Sequence, residues 1–134
     1  MRRLLPLDFD LALLILRVVL GIIMIYHGWP KLTNLGGTIE GFSGMGIPAP
    51  AVAAIFATLV EVVGGILVLV GAFADIAGLM FAIDMLGAIT FVHAKNGFSA
   101  SEGGVEFPLA LLAMALAIAL AGPGRYAVGR PADR

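Results

Sequence analysis

Four apolar runs dominate the sequence and most constrain how the chain can fold. They extend from about residue 9 to 29, 51 to 72, 75 to 94 and 107 to 121. A helix needs about 20 residues, with a range of about 17–25, to cross a bilayer, so the first three runs are long enough and the fourth is short. Because 60% of the 134 residues are apolar and only 13% are charged, the sequence predicts an all-α integral membrane protein.

The connections between the runs predict how the helices pair. Gly71 and Asp75 are suited to end one helix and to cap the next, so we expect the second and third runs to form an antiparallel hairpin. The other two connections, residues 30–50 and 95–106, are long and rich in glycine. Residues 38–45 are a candidate for a short interfacial helix. The sequence therefore predicts a single-domain bundle of four transmembrane helices.

The distribution of basic residues predicts the orientation of this bundle. Five arginines lie on the side shared by the two termini, namely Arg2, Arg3, Arg125, Arg130 and Arg134. The opposite side has only Lys31 and Lys95. By the positive-inside rule, both termini are expected in the cytoplasm and the two long loops on the outer side. The apolar composition predicts the lipid bilayer as partner, and the net charge of −1 indicates no nucleic-acid partner.

Three ionisable residues, Arg17, Glu61 and Asp84, lie inside the first three runs. A charge at the membrane centre costs about 2.5–3.5 kcal/mol by insertion measurements, so such residues rarely face lipid. A rise of about 1.5 Å per residue places all three about 12–15 Å into their runs. We therefore predict that they meet as one buried polar cluster. Since one arginine faces two carboxyl groups, one carboxyl is expected to retain a proton, and the cluster either handles protons or only fixes the helix register.

Two histidines, His27 and His93, lie near the outer ends of the first and third runs. His93 follows Asp84 by nine residues, which on an α-helix places it about 180° away from the bundle interior. That geometry argues against a bis-histidine haem. An interfacial histidine hydrogen-bonded to loop backbone or solvent, and a contact with a quinone headgroup or a metal, stay as alternatives. Together with Lys31 and Glu106, the histidines are the candidate outer-side ligand or quinone contacts, and no metal site is predicted.

Short motifs follow one another along nearly the whole chain. They are, in order, LR at 16–17, YHGWPKL at 26–32, GIPAP at 46–50, EVVGG at 61–65, HAKNGF at 93–98, GGVEFP at 103–108 and GPGRY at 122–126. In this order they resemble the DoxX family of small four-span bacterial membrane proteins. Arg17, Glu61, Gly64 and Glu106 match the family pattern. The resemblance implies a multi-pass protein of the bacterial cytoplasmic (inner) membrane, associated with redox complexes such as a thiosulfate:quinone oxidoreductase.

The function expected from this resemblance is that of a redox-associated subunit, linked to quinone or to a partner oxidoreductase. The chain has no cysteine, so any electrons must come from a bound cofactor or a partner subunit. Two alternatives stay open. One is a non-enzymatic scaffold or accessory subunit of a membrane complex, or a homo-oligomer. The other is a carrier of a small solute coupled to protons. Whether the chain is itself an enzyme is left open.

Overall fold

The computed structural model describes residues 4–129, and every regular element within that range is helical. Arg2, Arg3, Arg130 and Arg134, which contribute to the predicted orientation, lie outside the described residues. The predicted all-helical class is confirmed. The α-helices are, in chain order, α1 (Phe9–Thr33), α2 (Leu35–Gly44), α3 (Pro50–Val70), α4 (Ala74–Ala88) and α5 (Glu106–Ala121).

Three helical segments between residues 4 and 129 are long and apolar enough to cross a membrane. They are α1, α3 and the segment Ala74–Asn96, with mean hydropathies of 2.3, 2.5 and 1.8. The last consists of α4, a π-helical turn at Ile89–His93 and a 3-10 turn at Ala94–Asn96. α5 has 16 residues and is apolar but shorter. The chain is therefore a membrane helical bundle, and its four crossings stay a prediction.

The first helix extends further than Pro30, where the sequence predicts its end. It continues to Thr33, one turn beyond the proline. Side chains help to satisfy the carbonyl groups around this turn: the Thr33 hydroxyl donates to the Trp29 carbonyl at 3.0 Å, and Lys31 Nζ donates to the His27 carbonyl at 3.0 Å. This extra turn keeps Lys31 in helical register and directs it toward α3.

The connection between α3 and α4 forms the tight hairpin that the sequence predicts. Gly71 has a φ of +79°, a conformation that glycine adopts without strain, and its N–H donates to the Leu67 carbonyl at 2.8 Å. The cap of α4 differs from the prediction, because Phe73 occupies the cap position. Asp75 lies in the first turn, where its carboxylate accepts from the adjacent Ile76 N–H.

Glycines allow the helices to approach closely. α1 packs mainly on α3, and α4 packs on α5. A Cβ added at Gly28 of α1 would lie 2.7 Å from the Glu61 Cβ, and one at Gly78 of α4 would lie 2.8 Å from the Ala115 carbonyl oxygen of α5. Small residues at such positions are typical of membrane helix interfaces. The main core side chains are Leu20, Met24, Val68, Phe81, Leu111 and Ile118.

The segment after α5 folds back over one end of the bundle. Val128 N–H donates to the Val70 carbonyl at 2.9 Å, and Arg125 N–H donates to Asp10 Oδ1 at 3.0 Å. These bonds join the segment to the end of α3 and the start of α1. They also bring the carbonyl groups of residues 123–126 over the side chain of Arg17.

Candidate functional site

Arg17 lies at the end of the bundle that the returning segment covers, and it is 1% exposed. Its guanidinium donates four hydrogen bonds of 2.8–2.9 Å, all to backbone carbonyl oxygens: those of Val68, Leu69, Pro123 and Tyr126. The first two belong to the last turn of α3, where carbonyls lack helical partners. The side chain therefore ties α1 to the end of α3 and to the segment after α5. We call this region the Arg17 end.

The expectation that Arg17 meets Glu61 and Asp84 is wrong. All of its described hydrogen bonds go to carbonyls, and Glu61 pairs with a different cation. The reason is the antiparallel packing of α1 and α3. Arg17 lies level with the end of α3, whereas Lys31, about 21 Å further along α1 at 1.5 Å per residue, lies level with Glu61.

Glu61 is 3% exposed and forms an ion pair with Lys31, with 2.8 Å between Oε1 and Nζ. The Lys31 side chain is 24% exposed, so the pair lies at the boundary between the protein interior and its surroundings. Lys31 is predicted from the sequence as an outer-side ligand contact, and its pairing with Glu61 is not predicted. The extension of α1 past Pro30 explains the difference, because it directs the lysine toward α3.

Asp84 of α4 lines the same cavity as Glu61, close enough for the two carboxyl groups to interact electrostatically. Its Oδ2 is buried and has no hydrogen-bond partner within residues 4–129. The structure thus brings together two of the three predicted cluster residues and replaces Arg17 with Lys31. Two carboxyl groups and one ammonium group thus line the same cavity, the ratio of charges that the sequence predicts with arginine as the cation. A buried polar atom without a partner costs about 1–3 kcal/mol, so this oxygen is a natural contact for a ligand.

A cavity of about 470 Å³ lies above these three residues. We call this region the cavity end. Its polar lining comes from Glu61 and Asp84, Lys31, and both histidines. Its walls are otherwise apolar and rich in phenylalanine. The phenylalanines that line it are Phe42, Phe56, Phe81, Phe91 and Phe107. A concave apolar space of this size with a few convergent polar groups is typical of a small-molecule site.

The residues that line the cavity come from different parts of the chain. α3 and α4 supply most of them. Phe42 of α2, together with Met45 and Ile47 after it, lines another side of the cavity, which we call the roof. None of these three roof residues is among the predicted site residues. Their apolar character inside a glycine-rich loop is the only sequence signal that marks them. It is too common in membrane proteins to identify a ligand site.

His93 lines the same cavity as Asp84, contrary to the expectation that it faces away. The prediction assumes an α-helix throughout, but residues Ile89–His93 form a π-helical turn. A π turn contains more residues than an α turn, which changes the direction of every side chain that follows; such turns occur often at functional sites. Nδ1 of His93 lies 2.8 Å from the Gly103 carbonyl oxygen, which can only accept, so Nδ1 donates. The alternative of a loop-backbone contact is confirmed.

His27 lines the cavity from α1. Its ring contacts Phe107 of α5, with 5.9 Å between centroids, and Tyr26 in an edge-on arrangement at 5.8 Å. The contact with Phe107 joins the C-terminal part of α1 to the first turn of α5.

Glu106 has a different position from the one predicted for a ligand contact. It is absent from the cavity lining, and its Oε1 accepts a hydrogen bond from the Ala100 N–H at 2.8 Å. The neighbouring backbone bonds, Gly104 N–H to the Ser99 carbonyl and Val105 N–H to the Gly97 carbonyl, form the same loop. The carboxylate therefore organises the loop that begins α5, whose first residues do reach the cavity.

Relatives of the chain are found among bacterial membrane proteins. Residues 12–94 match the family model described as DoxX. "Putative oxidoreductase CatD" of Bacillus subtilis (strain 168) is 38% identical over 86% of this chain and 82% of its own length. Inner membrane protein YphA of Escherichia coli (strain K12) is 30% identical over 92% of this chain and 94% of its own length.

Inner membrane protein YqjF, also of Escherichia coli (strain K12), is 28% identical over 90% of this chain and 92% of its own length. No solved structure matches the chain significantly. The family match covers more than half of the chain, and the similarity to these relatives covers most of their length. The chain is a multi-pass membrane protein that belongs to the DoxX family.

Proposed function

We propose that this protein is a redox-associated subunit of a bacterial inner membrane and that its cavity binds a quinone headgroup. The observation that carries the proposal is the cavity, in which apolar, phenylalanine-rich walls end at Lys31, Glu61 and Asp84. A quinone headgroup has the matching chemistry, because it is a flat apolar ring with oxygen atoms at opposite edges. The name of one relative, "Putative oxidoreductase CatD", supports the redox association.

The polar residues have separate roles in this proposal. The Lys31 ammonium has three N–H groups, of which two bind the His27 carbonyl and Glu61 Oε1. The third has no partner within residues 4–129 and can donate to a quinone oxygen. Asp84 Oδ2 has no partner among the described residues. A protonated Asp84 donates to a quinone oxygen, and an ionised one accepts from a hydroxyl of the reduced form.

In this proposal, the chain itself exchanges protons with the ligand and does not supply electrons. A bound quinone supplies the capacity to take up electrons together with protons. Glu61, Asp84 and Lys31 all line the cavity, and their side chains can accept or donate protons at a bound ligand. The chain contains no cysteine, so we propose that a partner oxidoreductase in the same membrane provides the electrons.

The proposed topology places the cavity near the outer side of the membrane. It has four crossings in one membrane domain, with α5 as the fourth crossing and both termini in the cytoplasm. Arg125, beside the end of α5, and Lys31, beside the cavity, lie at opposite ends of the bundle, in line with the charge distribution that predicts this orientation.

The proposal is tested with protein purified from its native membrane and placed in lipid nanodiscs. Extraction should recover quinone, and a benzoquinone with a decyl tail should quench the fluorescence of Trp29, the single tryptophan, in a saturable way. Ala57 lines the cavity, so Ala57→Leu should fill it and weaken binding about tenfold. Ala113→Leu, on the exposed face of α5, is the matched control and should bind normally. Absence of both recovered quinone and saturable quenching would overturn the proposal.

A further inference from the structure

The α3–α4 hairpin is closed at its connection and separated at its other end. Near the connection, a Cβ added at Gly64 would meet the Ala77 Cβ at 4.0 Å, and Val68 and Ala74 are fully buried. Between Glu61 and the opposite end of the hairpin, both helices instead contribute residues to the cavity lining. The cavity is therefore a gap between two adjacent helices of the bundle.

One row of residues on α4 belongs both to the cavity and to the protein surface. Ile83, Gly87 and Phe91 follow one another at four-residue spacing and all line the cavity. Ile83 is 47% exposed and Phe91 is 39% exposed, and both lie within the membrane-crossing segment Ala74–Asn96, so their exposed faces meet lipid in a bilayer. Between them, a Cβ at Gly87 would have no heavy atom within 4 Å. This row is the edge of an opening, which we call the Gly87 window.

The other exposed residues of the lining lie near helix ends. They are His27 and Phe107, whose rings are in contact between α1 and α5, and Met45, which follows α2. Phe42 and Ile47 line the side that faces α2. The Gly87 window thus leads from the cavity toward the faces of α3 and α4 that acyl chains surround in a bilayer.

We propose that the ligand enters from within the bilayer through the Gly87 window and is an amphiphile with a long apolar tail. This inference rests on the proposed function and adds the class of ligand. The headgroup lies against Lys31, Glu61 and Asp84, and the tail passes between Ile83 and Phe91 into the lipid. Apolar lining residues are suited to a tail along this route, while Asp84 Oδ2, which has no partner within residues 4–129, lies at its inner end. A tail-free quinone uses the same headgroup site without occupying the window.

The test compares two benzoquinones, one with a decyl tail and one without a tail, on variants in lipid nanodiscs. Each affinity is divided by that of the unmodified protein for the same quinone, so the different partitioning of the two quinones into lipid cancels. Gly87→Leu, which fills the window, should weaken binding of the tailed quinone about tenfold and of the tail-free quinone less than about twofold. Gly36→Leu is the matched control, because Gly36 also has open surroundings but lies on α2 outside the cavity lining.

Ile83→Trp enlarges another residue of the window and should likewise weaken binding of the tailed quinone more than that of the tail-free quinone. It replaces Gly87→Leu if that variant does not fold. Equal weakening of both quinones, or weakening of neither, would overturn the window while leaving the headgroup site in place. If the unmodified protein binds neither quinone, the proposed function fails and the window fails with it.

Discussion

The Arg17 end and the cavity end both contain ionisable groups inside the membrane-crossing segments, yet their partners differ. At the Arg17 end, one buried guanidinium donates to four backbone carbonyls. At the cavity end, Lys31 pairs with Glu61, and Asp84 Oδ2 has no partner within residues 4–129. A position inside the membrane does not tell whether an ionisable group is structural or binds a ligand. The number of its hydrogen-bond partners does, because a group with all its partners stabilises the fold, whereas a group that lacks one is available to a ligand.

The largest effect is expected from Arg17→Leu. This change leaves the carbonyls of Val68, Leu69, Pro123 and Tyr126 without their donor. Because hydrogen bonds to charged groups contribute about 1.5–3 kcal/mol each, the free energy of unfolding should fall by more than about 3 kcal/mol. Unfolding by denaturant in mixed micelles measures this. Arg17→Lys, with a single nitrogen, should give an intermediate loss, and an unchanged midpoint for both variants would contradict a structural role.

The Lys31–Glu61 pair should show a smaller and coupled effect. Lys31→Met leaves a buried carboxylate without its cation and should cost about 2 kcal/mol of stability. Adding Glu61→Gln removes that carboxylate and should restore most of the loss. A double-mutant cycle of unfolding free energies measures the coupling, and additive effects would show that the pair does not interact. Lys95→Met, at an exposed lysine, is the control and should change stability by less than about 0.5 kcal/mol.

The close approach of α1 and α3 can be tested at Gly28. A Cβ there would lie 2.7 Å from the Glu61 Cβ and 2.9 Å from the Val62 backbone nitrogen, so Gly28→Ala should push the helices apart and cost about 1–3 kcal/mol. Gly36→Ala meets nothing within 4 Å and should instead stabilise α2 by up to about 1 kcal/mol, since alanine favours helix. Thermal unfolding of both variants gives the comparison. Equal effects of the same sign would argue against tight packing at Gly28.

The helices were predictable from the sequence, whereas the partners of the charged residues were not. Long apolar runs and the Gly71 turn are local signals, and both reappear in the structure. The depth of Arg17 along its own helix is also local. The partner of Arg17 depends on the register in which α1 packs against α3, and no local sequence pattern encodes that register. The reassignment of Lys31 has the same origin, together with a helix that continues through Pro30.

His93 illustrates a second limit. Its direction follows from a π-helical turn of five residues, and the sequence ITFVH contains no glycine or proline to mark it. A single inserted residue in a turn redirects every later side chain. The roof of the cavity was equally hidden, because Phe42 and Ile47 reach it only through the fold of the connection between α1 and α3.

Asp84→Asn tests the central distinction most directly, when stability and quinone affinity are measured on one preparation beside Arg17→Lys. Because Oδ2 has no described partner, Asp84→Asn should change the free energy of unfolding by less than about 0.5 kcal/mol and weaken quinone binding about tenfold. Asp75→Asn, exposed on the same helix, should alter neither quantity. Unchanged quinone affinity in Asp84→Asn, together with a stability loss as large as that of Arg17→Lys, would contradict the account and make both ends structural.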